Sequence, residues 1–103
     1  MSPNPCERVL SAPVNLGLES RSEFRQRAVA LLEEMPEGLG RLVVDLSPTS
    51  RVDSAGLGAL MLVQRRASDR RQLVALRNAS EEVRFLLVLT KLLDLFEIEE
   101  VSR

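Results

Sequence analysis

Apolar positions along the chain change period several times, and each change marks an element. Val14, Leu16 and Leu18 alternate with Asn15 and Gly17, a period of two. With Arg8–Ala12 before it and Pro13 between, residues 8–18 read as an interrupted edge strand, because proline cannot donate inside a ladder. The period then lengthens. Phe24, Ala28, Leu31, Leu32 and Met35 fall on one helical face, with Arg21, Arg25, Glu33 and Glu34 on the others. Ser20 and Glu23 have the spacing of a capping box at the start of that helix, and Pro36-Glu37-Gly38 ends it. Arg41–Leu46 is an almost unbroken apolar run, the pattern of a strand covered on both faces. A second helix starts near Ser54 and is apolar nearly all round for two turns. Leu73–Leu76 is another short apolar strand. Ser80 caps a third helix with Glu81 and Glu82 in its first turn, where the dipole favours acid. Leu92–Leu95 adds a turn, and Phe96–Glu99 alternates as a last edge strand.

Helices that alternate with short apolar strands imply parallel pairing through right-handed crossovers. The expectation is a single small α/β domain. Its central, mostly parallel sheet has about four strands, with three main helices. Residues 1–7, with Pro3 and Pro5, read as a disordered N-terminus, and 8–103 as the domain.

Composition narrows the chemistry. The chain has no His and one Cys, Cys6, so histidine triads, internal disulfides and thiolate metal clusters are excluded. Fourteen basic and 15 acidic side chains leave a net charge of −1, and Trp and Tyr are absent. Neither the charge for nucleic acid nor a stacking platform is present. No apolar run approaches the ~18 residues of a membrane span, and no signal-peptide pattern opens the chain. A soluble, cytoplasmic, non-catalytic protein without metal or cofactor is expected.

The chemistry concentrates in Val43-Val44-Asp45-Leu46-Ser47 followed by Val52-Asp53-Ser54-Ala55-Gly56-Leu57-Gly58. Backbone N–H groups at a helix start attract anions. A phosphate on Ser54 would stand beside them, with Asp53 repelling it. Ser54 has two readings, helix cap or modifiable switch, and spacing alone favours the cap. Gly56 and Gly58 do not make a nucleotide-binding loop. The arginines at 51, 65, 66, 70, 71, 77 and 84 read as solvated. Phe85–Leu89 with Leu92, Leu93 and Leu95 is richer in apolar residues than one buried face requires. Core packing is the first reading of that run, and a homodimer or partner surface is the second.

The string D-S-x-G-L-G after a strand ending D-L-S, then S-x-x-V-R, L-x-L-T and L-F-E-I, resembles a STAS domain over roughly residues 20–99. That is the fold of bacterial anti-sigma factor antagonists and of the cytoplasmic parts of sulfate transporters. The resemblance implies a partner-switching module. An anti-sigma factor serine kinase would bind it around Asp53, Ser54, Ala55, Gly56, Leu57 and Gly58. Phosphorylation of Ser54 would break the complex, and a phosphatase would reset it. The alternative implied is a structural subunit of a lipid-transport ABC complex or another assembly, with Ser54 a mere contact. The chain departs from the family pattern in several places. The stretch before residue 8 is expected to be too short for the first strand of the usual opening hairpin, and whether a partner's strand takes that edge is left open. The nearest matches to a common Asp before the first helix are Gly17 and Glu19. Arg70-Arg71-Gln72 replaces a Gly-Gly pair, Lys91 replaces a Gly, and Ala55 replaces a second hydroxyl.

Overall fold

The computed structural model describes residues 6–99. In chain order the elements are β1 (Glu7–Ser11), β2 (Asn15–Leu16), α1 (Arg21–Glu34), β3 (Arg41–Asp45), β4 (Arg51–Val52), α2 (Ser54–Asp69), β5 (Leu73–Arg77), α3 (Glu81–Leu89), a 3-10 turn (Leu93–Leu95) and β6 (Glu97–Glu99). Four strands form a sheet in the order β1-β3-β5-β6, and every pair is parallel. The edge strand read over 8–18 divides at Pro13. Its first part is β1, and its second part, β2, pairs with β4 in a separate two-stranded sheet. Residues 1–5 of the expected disordered segment lie outside the described residues. Glu7 already belongs to β1, and the Cys6 carbonyl accepts from the Arg41 N–H at 2.8 Å.

The period-two pattern sorts the sheet into two unlike faces. Leu10, Leu42, Val44, Val74 and Leu76 point into a core shared with Phe24, Ala28 and Leu32 of α1 and Leu60, Val63 and Ala67 of α2. Val83 and Leu87 of α3 join the same core. Each fully buried aliphatic side chain there contributes roughly 1.5–3 kcal/mol. On the other face Val43 and Ala75 are buried but stand apart from that core. Around them Arg41 donates to Glu97 at 2.9 Å, to Glu99 at 3.0 Å and to Glu7. Arg77 pairs with Glu99 as well. The glutamates, Glu97 foremost, hold Arg41 protonated more firmly than usual, while Arg77 and then Arg41 hold Glu99 below the ordinary glutamate range. Arg77 is therefore an ion-pair member and not the solvated residue expected. Arg70 likewise donates to the Met35 carbonyl and faces Glu37.

Helix ends refine the sequence reading. Ser20 precedes α1, but its backbone is already near-helical and its hydroxyl points back along the chain. It donates to the Asn15 carbonyl at 2.7 Å and accepts from the Gly17 N–H at 3.1 Å, so it closes a loop and forms no capping box. Ser80 does cap α3, accepting from the Val83 N–H at 3.1 Å. The C-terminal ends of α2 and α3 are Schellman motifs. After α2, Arg71 N–H bonds Ser68 O and Gln72 N–H bonds Ala67 O. After α3, Lys91 N–H bonds Val88 O and Leu92 N–H bonds Leu87 O. Arg71 and Lys91 hold the left-handed position with φ of 57° and 61°. Gln72, buried, donates its side-chain amide to the Leu32, Met35 and Pro36 carbonyls and so ties the end of α1 to the start of β5.

A side chain in the left-handed region costs roughly 1–2 kcal/mol that glycine escapes. Lys91→Gly should therefore raise unfolding stability in urea by about 1 kcal/mol. A lower midpoint for the variant would show that the Lys91 side chain makes a compensating contact.

Candidate functional site

The segment from β3 to α2 is positioned by contacts with residues far back in the chain. Thr49, buried, donates its hydroxyl to the Pro13 carbonyl at 2.7 Å, and the Ser50 N–H bonds Val14 O. β4 then lies beside β2, with Val52 opposite Leu16. The first turn of α2 rests on this pair. A Cβ at position 56 would come within 2.0 Å of the Leu16 carbonyl oxygen, so only glycine allows the approach.

Asp53 joins the two segments. Its N–H donates to Leu16 O at 3.2 Å. One carboxylate oxygen accepts from the Gly56 N–H at 3.0 Å, and the other accepts from the Leu18 N–H at 3.4 Å. The Gly56 amide, followed by those of Leu18 and Ala55 and by the charge of Arg21, holds the Asp53 carboxyl below its ordinary value. Asp53 is therefore the N-cap of α2. This corrects the reading of Ser54 as the cap. It also corrects the expectation that the helix start is an open anion seat, since the chain's own carboxylate occupies those amides.

The remaining residues of the string separate by depth. Ser54 opens the helix, is exposed, and its hydroxyl makes no hydrogen bond to another described residue. Ala55 and Leu57 are half-buried, with Leu57 packed on the core. Gly56 is buried, and its missing side chain serves the contact with Leu16. Gly58 is exposed and faces open space. Position 17, where an acid was sought, lies against Asp53: a Cβ there would be 2.4 Å from a carboxylate oxygen. An aspartate at 17 would set carboxylate beside carboxylate.

Two shallow hollows flank this corner. One, of about 500 Å³ between α1 and α2, is lined by Arg21, Arg25, Ser54, Gly58 and Leu62 among others. The other, of about 520 Å³, has Glu19, Glu23 and Asp53 in its wall. Arg21 and Arg25 were visible in the sequence only as polar positions of α1. Their i, i+4 spacing was the available signal, but nothing in the sequence placed Ser54 opposite them. Among the described residues no group of three or more His, Cys, Asp or Glu could hold a metal ion, and no helix is long and apolar enough to cross a membrane.

The family model described as Mlab, STAS domain matches residues 4–97. The chain belongs to the STAS family. Solved structures repeat the fold. TM1081 of Thermotoga maritima superposes with a TM-score of 0.75 at 24% identity, over 91% of this chain and 80% of that one. The anti-sigma factor antagonist SpoIIAA in its unphosphorylated form gives 0.72 at 12%, over 99% and 86%. The murine anion transporter Solute Carrier 26 family member A9 gives 0.79 at 16%, over 98% of this chain and 17% of the transporter. No curated protein matches the chain. The parallel sheet and three helices are thus those of a STAS domain. At the two places where glycine was expected from the family pattern, near Arg71 and at Lys91, the backbone keeps a positive φ.

The two glycines of the STAS string should respond oppositely. Gly56→Ala drives a methyl into backbone and should destabilise by about 1–3 kcal/mol, as overpacking does. Gly58→Ala adds helix propensity in open space and should stabilise by up to about 1 kcal/mol. Equal effects in urea titration would contradict the placement. A second pair tests the cap. Asp53→Ala should lower the unfolding midpoint, Asp53→Asn should largely restore it, and Ser54→Ala should leave it unchanged. A loss confined to Ser54→Ala would return the cap to the serine.

Proposed function

We propose that this STAS domain is a non-catalytic, phospho-switchable binding module. It acts as an anti-sigma factor antagonist that binds an anti-sigma factor serine kinase and is released when Ser54 is phosphorylated. The observation that carries the reading is the state of Ser54. Its neighbour Asp53 makes the cap, so the hydroxyl is exposed, unbonded among described residues and not needed to hold α2. A kinase can transfer the γ-phosphoryl of a nucleoside triphosphate to this oxygen. The new O–P bond replaces the O–H, the proton leaves, and the diphosphate departs. None of these changes touches the core. A phosphatase reverses the modification by hydrolysing the ester.

Likeness to SpoIIAA supports the reading, since the Bacillus protein has also been solved in a phosphorylated form, at a TM-score of 0.71 and 14% identity. In the bound state the partner covers Ser54 together with Asp53, Ala55, Leu57 and Gly58, and Gly56 sets the backbone beneath them. Phosphate adds close to two negative charges. Enclosing them in a tight interface carries a desolvation cost that the unmodified hydroxyl does not. The module works in the cytoplasm, with no nucleic acid and no cofactor.

A second reading is a fixed subunit of a multiprotein assembly, such as a lipid-transport ABC complex, or a homodimer. One observation favours it. Phe85, Val88 and Leu89 on the outer side of α3 are 64%, 54% and 62% exposed. Single exposed apolar residues are ordinary, but three on one face mark a contact surface.

Phosphopeptide mapping of the native protein from growing and stressed cells should find phosphate on Ser54 at a level that changes with condition. In titration against the cognate kinase, Ser54→Asp should bind at least about tenfold more weakly, a cost of about 1.4 kcal/mol. Ser54→Ala should bind like the parent and stay bound when nucleoside triphosphate is added. An unmodified Ser54 in every condition, or equal affinity of the two variants, would favour the fixed subunit.

A further inference from the structure

A phosphate on Ser54 needs compensating charge, and the structure limits where it can find it. The first amides of α2 are taken by Asp53. The hollow beyond Asp53 carries Glu19 and Glu23 and repels an anion. Arg8, Arg41, Arg70 and Arg77 are already engaged with glutamates. Arg21 and Arg25 differ from these. They lie one turn apart on α1, line the same groove as Ser54, and their guanidinium groups form no hydrogen bond or ion pair with another described residue, although the charge of Arg21 also acts on Asp53. No acidic side chain lines that groove.

We infer that Arg21 and Arg25 are the seat of the Ser54 phosphate, drawing the modified side chain into the groove between α1 and α2. The inference rests on the reading of Ser54 as the modified residue. Guanidinium groups suit the task because their planar N–H forks match phosphate oxygens, and two of them balance the charge of one phosphate. A seated phosphate also fills the mouth of the groove between Gly58 and Leu62. Phosphorylation then does more than add charge at the docking surface: it changes the surface's shape and engages the two cations of α1 that line this groove.

The test uses the full chain with phosphoserine placed at position 54 during synthesis, so that no kinase is required. Phosphorus NMR follows the second ionisation of the phosphate as pH is varied. In the parent this ionisation should fall below its usual value near 6, by roughly half a unit or more. In the Arg21→Gln/Arg25→Gln double variant it should return toward that value, and Arg21→Lys/Arg25→Lys should keep much of the depression. Thermal melts of the unmodified chains verify that both variants fold as the parent does. Identical phosphate titration in the parent and the glutamine variant would overturn the inference. That failure is separate from failure of the switch. Cells that never modify Ser54 would remove the switch and leave the titration result standing.

Discussion

With no side chain at position 56, the first turn of α2 lies directly on the carbonyl of Leu16, and the local geometry of the molecule follows from that contact. It holds the two-residue strands β2 and β4 against the helix. It brings the Leu18 amide within reach of Asp53, which then bridges both segments. Once Asp53 is committed to this bridge, Ser54 has no structural task. The cap and the hydroxyl are adjacent in sequence but divided in role, so the serine can change its chemistry without loosening the helix that presents it.

The sheet carries the opposite arrangement on its other side. Its inner face is covered by apolar side chains of all three helices, whereas its outer face holds Arg41 among Glu7, Glu97 and Glu99. An arginine with three carboxylate partners, only partly exposed, is worth more than an isolated surface pair because its neighbours hold it in place. The network also ties β6, the shortest strand of the sheet, to β3 across β5, whose Ala75 is small. The acidic residues near the C-terminus and the scattered arginines looked unrelated in sequence because strand order, not sequence distance, brings them together.

The same distinction explains what could be read from the sequence. The nearly unbroken runs Arg41–Leu46 and Leu73–Leu76 declare strands because they are apolar at both parities yet too short for a buried helix such as α2. Phe24, Ala28 and Leu32 declare a helix face, and Ser80 declares a cap because nothing nearby competes for its hydroxyl. Asp53 and Ser54 are both good caps, and local preference could not choose between them; contact with Leu16 and Leu18 decided it. Ser20 was misread for a related reason, since its hydroxyl found partners in the loop behind it. The D-S-x-G-L-G string located the candidate site, but the arginines opposite it belong to another helix and surface only when α1 and α2 pack together.

Parallel pairing throughout the sheet has a consequence for how the chain reaches this structure. Every pair of neighbouring strands in the four-stranded sheet is separated in sequence by at least one helix, and Glu7 meets Arg41 across 34 positions. A hairpin therefore cannot start the sheet, and each pairing must close a loop that contains a whole helix. During synthesis β1 stays unpaired until β3 has left the ribosome. Over that interval the N-terminal strand is an exposed edge awaiting a partner, and any order gained so early must come from α1.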